Sequence, residues 1–238
     1  MLSFLGIGGA FATDLKNCAA FYKESDYLLL IDCGENIFEE IIKKKLLDNI
    51  DKLYIIITHF HTDHIGSLGT LLFYCDKINI SSIKIIYPNK NEIIKFLNMI
   101  GTEKCIYEVL IPDEFKEFSI KEVKQQHSIM EAYGYLININ NKKIYYSGDT
   151  KTIPNEIIEK FYNDEIDYFY QDVRLDENDY HISLKELNNI VSFDKRYKVN
   201  CMHFNSYNEM NIVKQNGYKL VKKIRWRVML YGNIKSCK

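Results

Sequence analysis

Residues 59–64 constrain this chain more than any other feature, because they place four potential metal ligands within six positions. The ligands are His59, His61, Asp63 and His64. They follow the apolar run of residues 53–58, and a short β-branched run of this kind is typical of a buried strand. Ligands at the carboxyl end of such a strand lie where α/β proteins usually bind their substrates. A polar strand-to-helix loop is the alternative, but the density of ligands favours a metal site.

The spacing of these ligands predicts two ions. His59 and His61 are two residues apart, so in extended backbone their imidazoles project to the same side and can bind one ion. Asp63 and His64 follow where the chain turns towards the next apolar stretch, and there they can face a second ion. Imidazole and carboxylate ligands suit zinc, with manganese or iron as substitutes.

Size and charge limit the class of protein and of partner. With 238 residues and 47% hydrophobic content, the chain can bury a full core, and we expect a single domain over residues 1–238. The 31 basic and 32 acidic side chains give a net charge of −1, whereas proteins that bind long nucleic acids usually carry a clearly basic surface. We therefore expect a small nucleotide or another small substrate and no long nucleic acid.

The cysteines and the apolar segments indicate the compartment. The six cysteines form no Cys-x-x-Cys pair, and no secretory signal precedes the first predicted strand, so we expect a reducing cytoplasm. No apolar stretch approaches the roughly 20 residues that a membrane span requires, so we expect no membrane partner.

Strand and helix patterns alternate along the chain and predict two mixed sheets stacked face to face with helices outside. Predicted strands cover residues 1–7, 18–22, 27–32, 53–58, 83–87, 105–111, 118–126, 132–139, 142–147, 166–170 and 197–202, with a last strand around 222–230. Predicted helices cover residues 35–47, 66–75, 92–100, 154–161, 184–191 and 209–214. Ser183 and Glu186 are spaced as a capping box for the helix that starts at residue 184.

Three further side chains can complete the metal ligands, because each follows a predicted strand. His127 would join His59 and His61, and His203 would join Asp63 and His64. Asp149 follows Gly148 in a sharp turn and could bridge two ions. Taken singly, each histidine is more often an ordinary surface or core residue and the aspartate part of a simple turn. Taken together, they supply the missing ligands.

This ordered set of ligands resembles the metallo-β-lactamase superfamily over essentially the whole chain. The opening Phe4-Leu5-Gly6-Ile7-Gly8, the segment Asp32-Cys33-Gly34-Glu35 and the later Met202-His203-Phe204-Asn205 are similar to its ribonuclease Z branch. The resemblance implies an αββα sandwich of two mixed β-sheets. It also implies that Asp172 orients His181, which assists phosphodiester cleavage, although the sequence Gln171-Asp172-Val173 stands where the tRNA-processing enzymes carry a glutamate. The predicted catalytic residues are His181, Asp172 and the ligand Asp63.

The substrate prediction depends on a missing segment. Ribonuclease Z enzymes insert a tRNA-binding arm between the third histidine and the bridging aspartate, but here 22 positions separate His127 from Asp149 and two predicted strands use them. Arm-less relatives include the anti-Pycsar proteins of phages and bacteria, which hydrolyse cyclic nucleoside monophosphates and so counteract nucleotide-signalled antiphage defence. Residues 63–69 and 11–14 are similar to that group. The resemblance implies a two-zinc phosphodiesterase and a homodimer, located in the host cytoplasm if a phage encodes it.

Three alternatives stay open at this point. The first is a ribonuclease Z-like nuclease that acts on short RNA. The second is a metal-dependent hydrolase of a lactone or thioester, which would not need His181. The third is a binding protein without catalytic activity, which the complete ligand set disfavours.

Some residues near the motif have ordinary explanations. Gly6-x-Gly8-Gly9 lacks the third glycine of a dinucleotide fingerprint and predicts a turn beside the site. Asp32 could buttress the ligands through hydrogen bonds or could be a structural turn carboxylate. Cys201 shares the strand alternation of His203, but a small buried filler is the stronger interpretation of its thiol.

Overall fold

Two six-stranded mixed sheets form the frame of the protein, which a computed structural model describes for residues 1–224. The first sheet contains, in spatial order, β1 (Ser3–Gly6), β2 (Ala19–Lys23), β3 (Tyr27–Ile31), β4 (Lys52–Ile56), β5 (Ser82–Ile86) and β6 (Glu108–Leu110). The second contains β7 (Ser119–Gln125), β8 (Ala132–Ile139), β9 (Lys142–Tyr146), β10 (Tyr168–Asp172), β11 (Val199–Met202) and β12 (Lys219–Leu220), again in spatial order.

Seven α-helices connect these strands within the described residues. They are α1 (Ile37–Lys43), α2 (Thr62–Ile65), α3 (Leu68–Lys77), α4 (Lys90–Met99), α5 (Asn155–Tyr162), α6 (Leu184–Ile190) and α7 (Tyr207–Gln215). Between residues 1 and 224, no helix has both the length and the apolar character that crossing a bilayer requires.

Both sheets have the same internal plan. Each begins with three strands paired antiparallel, β1 to β3 and β7 to β9, and continues with parallel pairs to its other edge. The parallel strands direct their carboxyl ends towards one edge of each sheet. Loops that are far apart in sequence can therefore meet at that edge.

The central strand β4 is buried on both faces, and the residues that follow it bond to the second sheet. Leu53, Tyr54, Ile55 and Ile56 are all at most 1% exposed, as expected for a parallel strand covered on both faces. At the end of this strand, the second sheet makes two direct contacts with the first. The Tyr135 hydroxyl donates to the Ile57 carbonyl at 2.7 Å, and the Tyr133 amide donates to the Thr58 carbonyl at 3.0 Å. The two sheets are therefore fixed to each other beside the predicted metal ligands.

The predicted pair of mixed sheets is confirmed, with local differences. The helix predicted over residues 35–47 ends at Lys43, because the chain turns there and Lys45 adopts a positive φ of 52°. The helix predicted over residues 66–75 is two helices, α2 and α3, and the strand predicted over 105–111 is only Glu108–Leu110. The capping box of Ser183 and Glu186 is confirmed.

Two predictions remain without a full test. The strand predicted around residues 222–230 lies largely outside the described residues. Its described part, residues 222–224, contains an isolated bridge between Lys223 and Phe4, and the short strand β12 at Lys219–Leu220 precedes it. The single domain over residues 1–238 stays a prediction.

Candidate metal centre

All seven predicted ligands lie just beyond the carboxyl ends of strands, and both sheets contribute. His59, His61, Asp63 and His64 follow β4 of the first sheet, whereas His127, Asp149 and His203 follow β7, β9 and β11 of the second. Most of these side chains are deeply buried: His59, His64, Asp149 and His203 are all at most 3% exposed. The fold therefore gathers a polar cluster inside an apolar sandwich, where its charges need compensation.

His59, His61 and His127 form the first part of the cluster, here called the histidine group. The His61 Nδ1 atom lies 2.9 Å from His59 Nε2 and 3.2 Å from His127 Nε2. Burial lowers the pKa of all three imidazoles, and that of His59 most strongly. Neutral imidazoles whose nitrogen atoms converge on one point are the form in which histidine binds a metal.

Asp63, His64, Asp149 and His203 form the second part, here called the mixed group. His64 Nε2 lies 3.3 Å from Oδ2 of Asp63 and 3.3 Å from Oδ2 of Asp149. His203 Nε2 lies 3.3 Å and 3.4 Å from the same two oxygens. Tetrahedral ligands at the usual zinc distances are about 3.3–3.5 Å apart, so these four separations match the edges of a tetrahedral metal site.

Hydrogen bonding and charge in the mixed group also fit a metal. The buried Nε2 atom of His64 has no hydrogen-bond partner among the described residues. Burial opposes ionisation of Asp149, yet His203 and His64 hold the pKa of its carboxyl well below the ordinary value. Burial likewise opposes protonation of His203, but the carboxylate of Asp149 raises its pKa to about 9. The carboxylates of the group are therefore held in their charged form and favour a cation beside them, a place that a proton on an imidazole takes here and that a metal ion could take instead.

Asp149 lies between the two groups. Its Oδ2 atom is 3.9 Å from Nε2 of both His59 and His127, in addition to its contacts in the mixed group. The preceding Gly148 has a φ of +60°, and a Cβ atom there would lie 2.8 Å from the Tyr133 carbonyl oxygen. Glycine at this position allows the turn that directs the Asp149 carboxylate into the cluster.

Asp32 and Thr58 support the mixed group from behind. The Oδ2 atom of Asp32 lies 2.8 Å from Nδ1 of His64, and its Oδ1 atom accepts the Thr58 amide at 2.8 Å. Because the carboxylate only accepts, His64 must donate through Nδ1, which leaves Nε2 free to bind a metal. Of the two explanations that the sequence left open for Asp32, this geometry favours buttressing of the ligands.

We expect Asp32→Asn to weaken metal binding by about 10- to 100-fold, because the residues that orient metal-bound histidines commonly contribute this much. Either orientation of the new amide places an N–H donor against His64 or against the Thr58 amide. Competition with a zinc-binding dye would measure the change. The exposed Asp26, paired with Lys52 on the surface, provides the control Asp26→Asn, and equal zinc affinity in both variants would contradict the expectation.

His181 and Asp172 stand at the border of the cluster. The Asp172 carboxylate, at the end of β10, accepts the His181 Nδ1 proton at 2.7 Å and the Thr150 amide at 3.1 Å. Burial opposes the charge on Asp172, but His181 holds the pKa of its carboxyl below the ordinary value. His181 is partly exposed, with 15% of its side chain accessible, and its Nδ1 lies 4.0 Å from Asp149 Oδ2. The arrangement can hold a proton donor or acceptor beside a substrate.

The structure adds functional contacts that the sequence did not indicate. The Tyr180 carbonyl accepts the Nδ1 proton of His127 at 2.9 Å and so fixes its orientation. Arg174 places its Nη2 atom 3.1 Å from Nδ1 of His203. Strand alternation offered a signal for Arg174, because residues 172 and 174 project to the same side if the strand continues. Cys201 is fully buried and belongs to neither group, which agrees with its interpretation as a filler.

Comparisons with known proteins agree on a family and a fold. A family model described as "Anti-Pycsar protein Apyc1" matches residues 1–227. An "Anti-Pycsar protein Apyc1" of Bacillus phage 010DV004 is 26% identical over 234 residues, which cover 85% of this chain and 88% of that protein. A "UPF0173 metal-dependent hydrolase" of Pyrococcus abyssi is 27% identical over 214 residues, with 85% and 88% covered.

Among solved structures, the metallo-β-lactamase fold protein YhfI of Bacillus subtilis superposes with a TM-score of 0.73 at 18% identity. The match covers 92% of this chain and 94% of that one. The chain therefore has the metallo-β-lactamase fold, and the predicted sandwich and the family resemblance are confirmed.

Proposed function

The chain belongs to the anti-Pycsar protein Apyc1 family and is a metal-dependent hydrolase, and on this premise we propose that it hydrolyses 3′,5′-cyclic nucleoside monophosphates with two zinc ions. The observation that carries the proposal is the hydrogen-bonded pair of His181 and Asp172, placed 4.0 Å from the shared ligand Asp149. A sugar oxygen that leaves phosphorus needs a proton, and this pair can supply one. Opening a cyclic nucleotide in this way would counteract antiphage signalling that depends on it.

The two groups divide the ligands between the two ions. The histidine group would hold one ion, the mixed group the other, and Asp149 would belong to both. Zinc bound there would lower the pKa of water towards neutrality and offset the charge of a phosphoryl oxygen. Manganese or iron would be accepted by the same nitrogen and oxygen donors.

The residues of the chain supply position and the proton. Asp172 fixes the His181 ring by accepting from Nδ1, so Nε2 is the nitrogen left to face a substrate. In this proposal the attacking water releases one proton to solvent and its oxygen bonds to phosphorus, while the P–O bond of the ring breaks and protonated His181 gives its Nε2 proton to the departing sugar oxygen. His181 then regains a proton from solvent. The Asp172 carboxylate stabilises the charged imidazole until that transfer.

The segment between His127 and Asp149 supports a small substrate. Strands β8 and β9 use most of these positions in a tight antiparallel hairpin that closes at Asn140 and Asn141. No tRNA-binding arm is therefore inserted there. The same compact geometry also suits a short nucleotide, which is why a short RNA belongs among the tested substrates.

The proposed activity can be tested directly on the purified full chain loaded with zinc. We expect chromatography to show conversion of at least one of 3′,5′-cyclic CMP, UMP, AMP and GMP to the nucleoside monophosphate, and we expect a chelator to abolish it. Bis-p-nitrophenyl phosphate, a short RNA and a panel of lactones and thioesters provide the comparison. Cleavage of lactones or thioesters without cleavage of any cyclic nucleotide would contradict the proposal.

Assembly and location remain proposals from the resemblance. We expect a homodimer, which light scattering coupled to size-exclusion chromatography would measure. A cytoplasmic location, in the host cell if the gene is carried by a phage, is the expectation for its cyclic-nucleotide substrate.

A further inference from the structure

Arg174 carries a buried positive charge for which the described residues provide no ion pair. Only 6% of the residue is exposed, and no carboxylate oxygen of residues 1–224 lies within 4.0 Å of its guanidinium nitrogens. Two side-chain contacts of Arg174 are described. Nη1 donates a hydrogen bond to the side-chain oxygen of Asn205, and Nη2 lies 3.1 Å from Nδ1 of His203. A charge removed from water in this way is costly unless an anion compensates it.

The surrounding residues hold Arg174 in place without neutralising it. Asn205 links Arg174 to the buried acid Glu209, but the two carboxylate oxygens of Glu209 accept the backbone amides of Leu175 and Asn205. Gly9 packs directly on the guanidinium, and a Cβ atom at Gly9 would lie 2.4 Å from Nη2. The loop that contains Gly9 and the residues that follow β11 thus enclose the guanidinium beside the mixed group.

Counting donors shows that the contact with His203 changes when Nε2 of His203 binds a metal. Nδ1 must then carry the proton, and among the side chains that the structure describes the carboxylate oxygen that faces it is Oδ1 of Asp172, at 3.4 Å. That oxygen is buried and has no other hydrogen-bond partner among the described residues. Nη2 of Arg174 is also a donor, so it cannot bond to the protonated Nδ1 and is released.

The charges around Arg174 also leave room for an anion. Four buried carboxylates belong to the cluster and its supports, namely Asp32, Asp63, Asp149 and Asp172, and two divalent ions would balance them. Glu209 carries a fifth buried carboxylate, but its two oxygens accept backbone amides and neither lies within 4.0 Å of the guanidinium nitrogens of Arg174. The guanidinium would therefore have no anion in direct contact, and a phosphodiester could supply one.

We propose that Arg174 binds the anionic phosphoryl oxygen of the substrate at the edge of the metal centre. The inference rests on the proposed function, because it assumes the two ions and names a phosphodiester as the anion. Nη2 turns from His203 to a non-bridging oxygen, while the hydrogen bond from Nη1 to Asn205 keeps the guanidinium in position. The planar guanidinium suits this role, since it can direct two N–H groups at one phosphoryl group.

The test measures binding of inorganic phosphate to the zinc-loaded full chain by calorimetry, and it requires no turnover. We expect Arg174→Met to weaken phosphate binding by about 10- to 100-fold, as the loss of a charge-assisted contact implies, without lowering the zinc content. Arg174→Lys keeps the positive charge but loses the planar guanidinium with its paired N–H donors, so its affinity for phosphate should lie between those of the wild type and Arg174→Met. Wild-type phosphate affinity in both variants would overturn the proposal.

Arg196→Met is the matched control. Arg196 donates to the backbone carbonyls of Val191, Asn188 and Asn216 and has no contact with the metal ligands. We expect this variant to lose thermal stability and to keep its affinity for phosphate. A loss of phosphate affinity equal to that of Arg174→Met would overturn the assignment.

A measurement on the wild-type sequence covers the case in which the Arg174 variants do not fold. The chain has four arginines, Arg174, Arg196, Arg225 and Arg227, so labelling them with ¹⁵N gives few guanidinium signals. We expect added phosphate to shift the signal of Arg174. This signal is the one that remains both in the Arg196→Lys variant and in the double variant Arg225→Lys/Arg227→Lys. If phosphate leaves the Arg174 signal unshifted, the proposal fails.

The same experiments separate this inference from the proposed function. Phosphate binding that depends on Arg174, in a protein that cleaves no cyclic nucleotide, would support the anion site and overturn the proposed substrate. Cleavage of cyclic nucleotides with an unchanged KM in Arg174→Met would support the function and overturn the role of Arg174.

Discussion

Asp149→Asn is expected to lower the rate of hydrolysis by about a thousandfold or more, because metal ions typically contribute several kcal/mol to such reactions. The carboxylate lies within 4 Å of histidine nitrogens in both the histidine group and the mixed group. Its Oδ2 lies 3.3 Å from Nε2 of His64 and 3.9 Å from Nε2 of His59. An amide of the same shape loses the negative charge that both proposed ions share, so the zinc content of the purified variant should fall as well.

Mass spectrometry of the bound metal and steady-state kinetics together test this expectation. Asp164→Asn is the matched control, since Asp164 is an exposed aspartate that pairs with Lys198 on the surface. We expect the control to keep both zinc and activity. An Asp149→Asn protein with full zinc content and wild-type turnover would show that Asp149 does not bind the ions.

His181→Ala is expected to slow cyclic-nucleotide hydrolysis by about 100- to 10,000-fold, the usual contribution of a positioned acid or base. It should leave the metal content unchanged, because His181 lies outside the two ligand groups: its Nδ1 bonds to Asp172, and its ring packs beside those of His127 and His203 at centroid distances of 5.1 Å and 5.3 Å. Kinetics and metal analysis of the same preparation measure both quantities. Full activity with metal bound would remove His181 from the mechanism.

The leaving group gives a sharper form of this test. A sugar oxygen needs a proton as it departs, whereas p-nitrophenolate departs readily without one. His181→Ala should therefore impair cleavage of a cyclic nucleotide much more than cleavage of bis-p-nitrophenyl phosphate. Asp179→Asn, an exposed change in the same loop, should affect neither substrate. An equal loss on both substrates would indicate that His181 does not act as a proton donor.

The cluster was predictable from the sequence because its ligands follow a simple rule. His59, His127, Asp149 and His203 each follow a run of strand-forming residues, and parallel strand ends meet at one edge. The pairing of His181 with Asp172 was implied by the family resemblance, and the structure places the two side chains in hydrogen-bond contact at 2.7 Å. The role of each ligand in binding metal remains a prediction that Asp149→Asn and Asp32→Asn would test.

The remaining features depend on tertiary contacts that sequence patterns do not contain. His203 has a φ of +67°, a conformation uncommon for any residue except glycine, and the backbone of Ile7 and Gly9 bonds to the adjoining Phe204. The contact of Arg174 with Gly9 likewise joins residues that are far apart in sequence. Helix ends were misplaced near Lys45 because a single left-handed residue ends the helix without a proline or glycine signal.

Because both sheets contribute ligands to both groups, bound metal would also cross-link the two halves of the sandwich. A ligand that binds only the folded state stabilises it in proportion to the logarithm of its free concentration. The resistance of this chain to heat and to proteolysis would then follow the free zinc level around it. A cell that withholds zinc would thereby remove the protein itself and not only its activity.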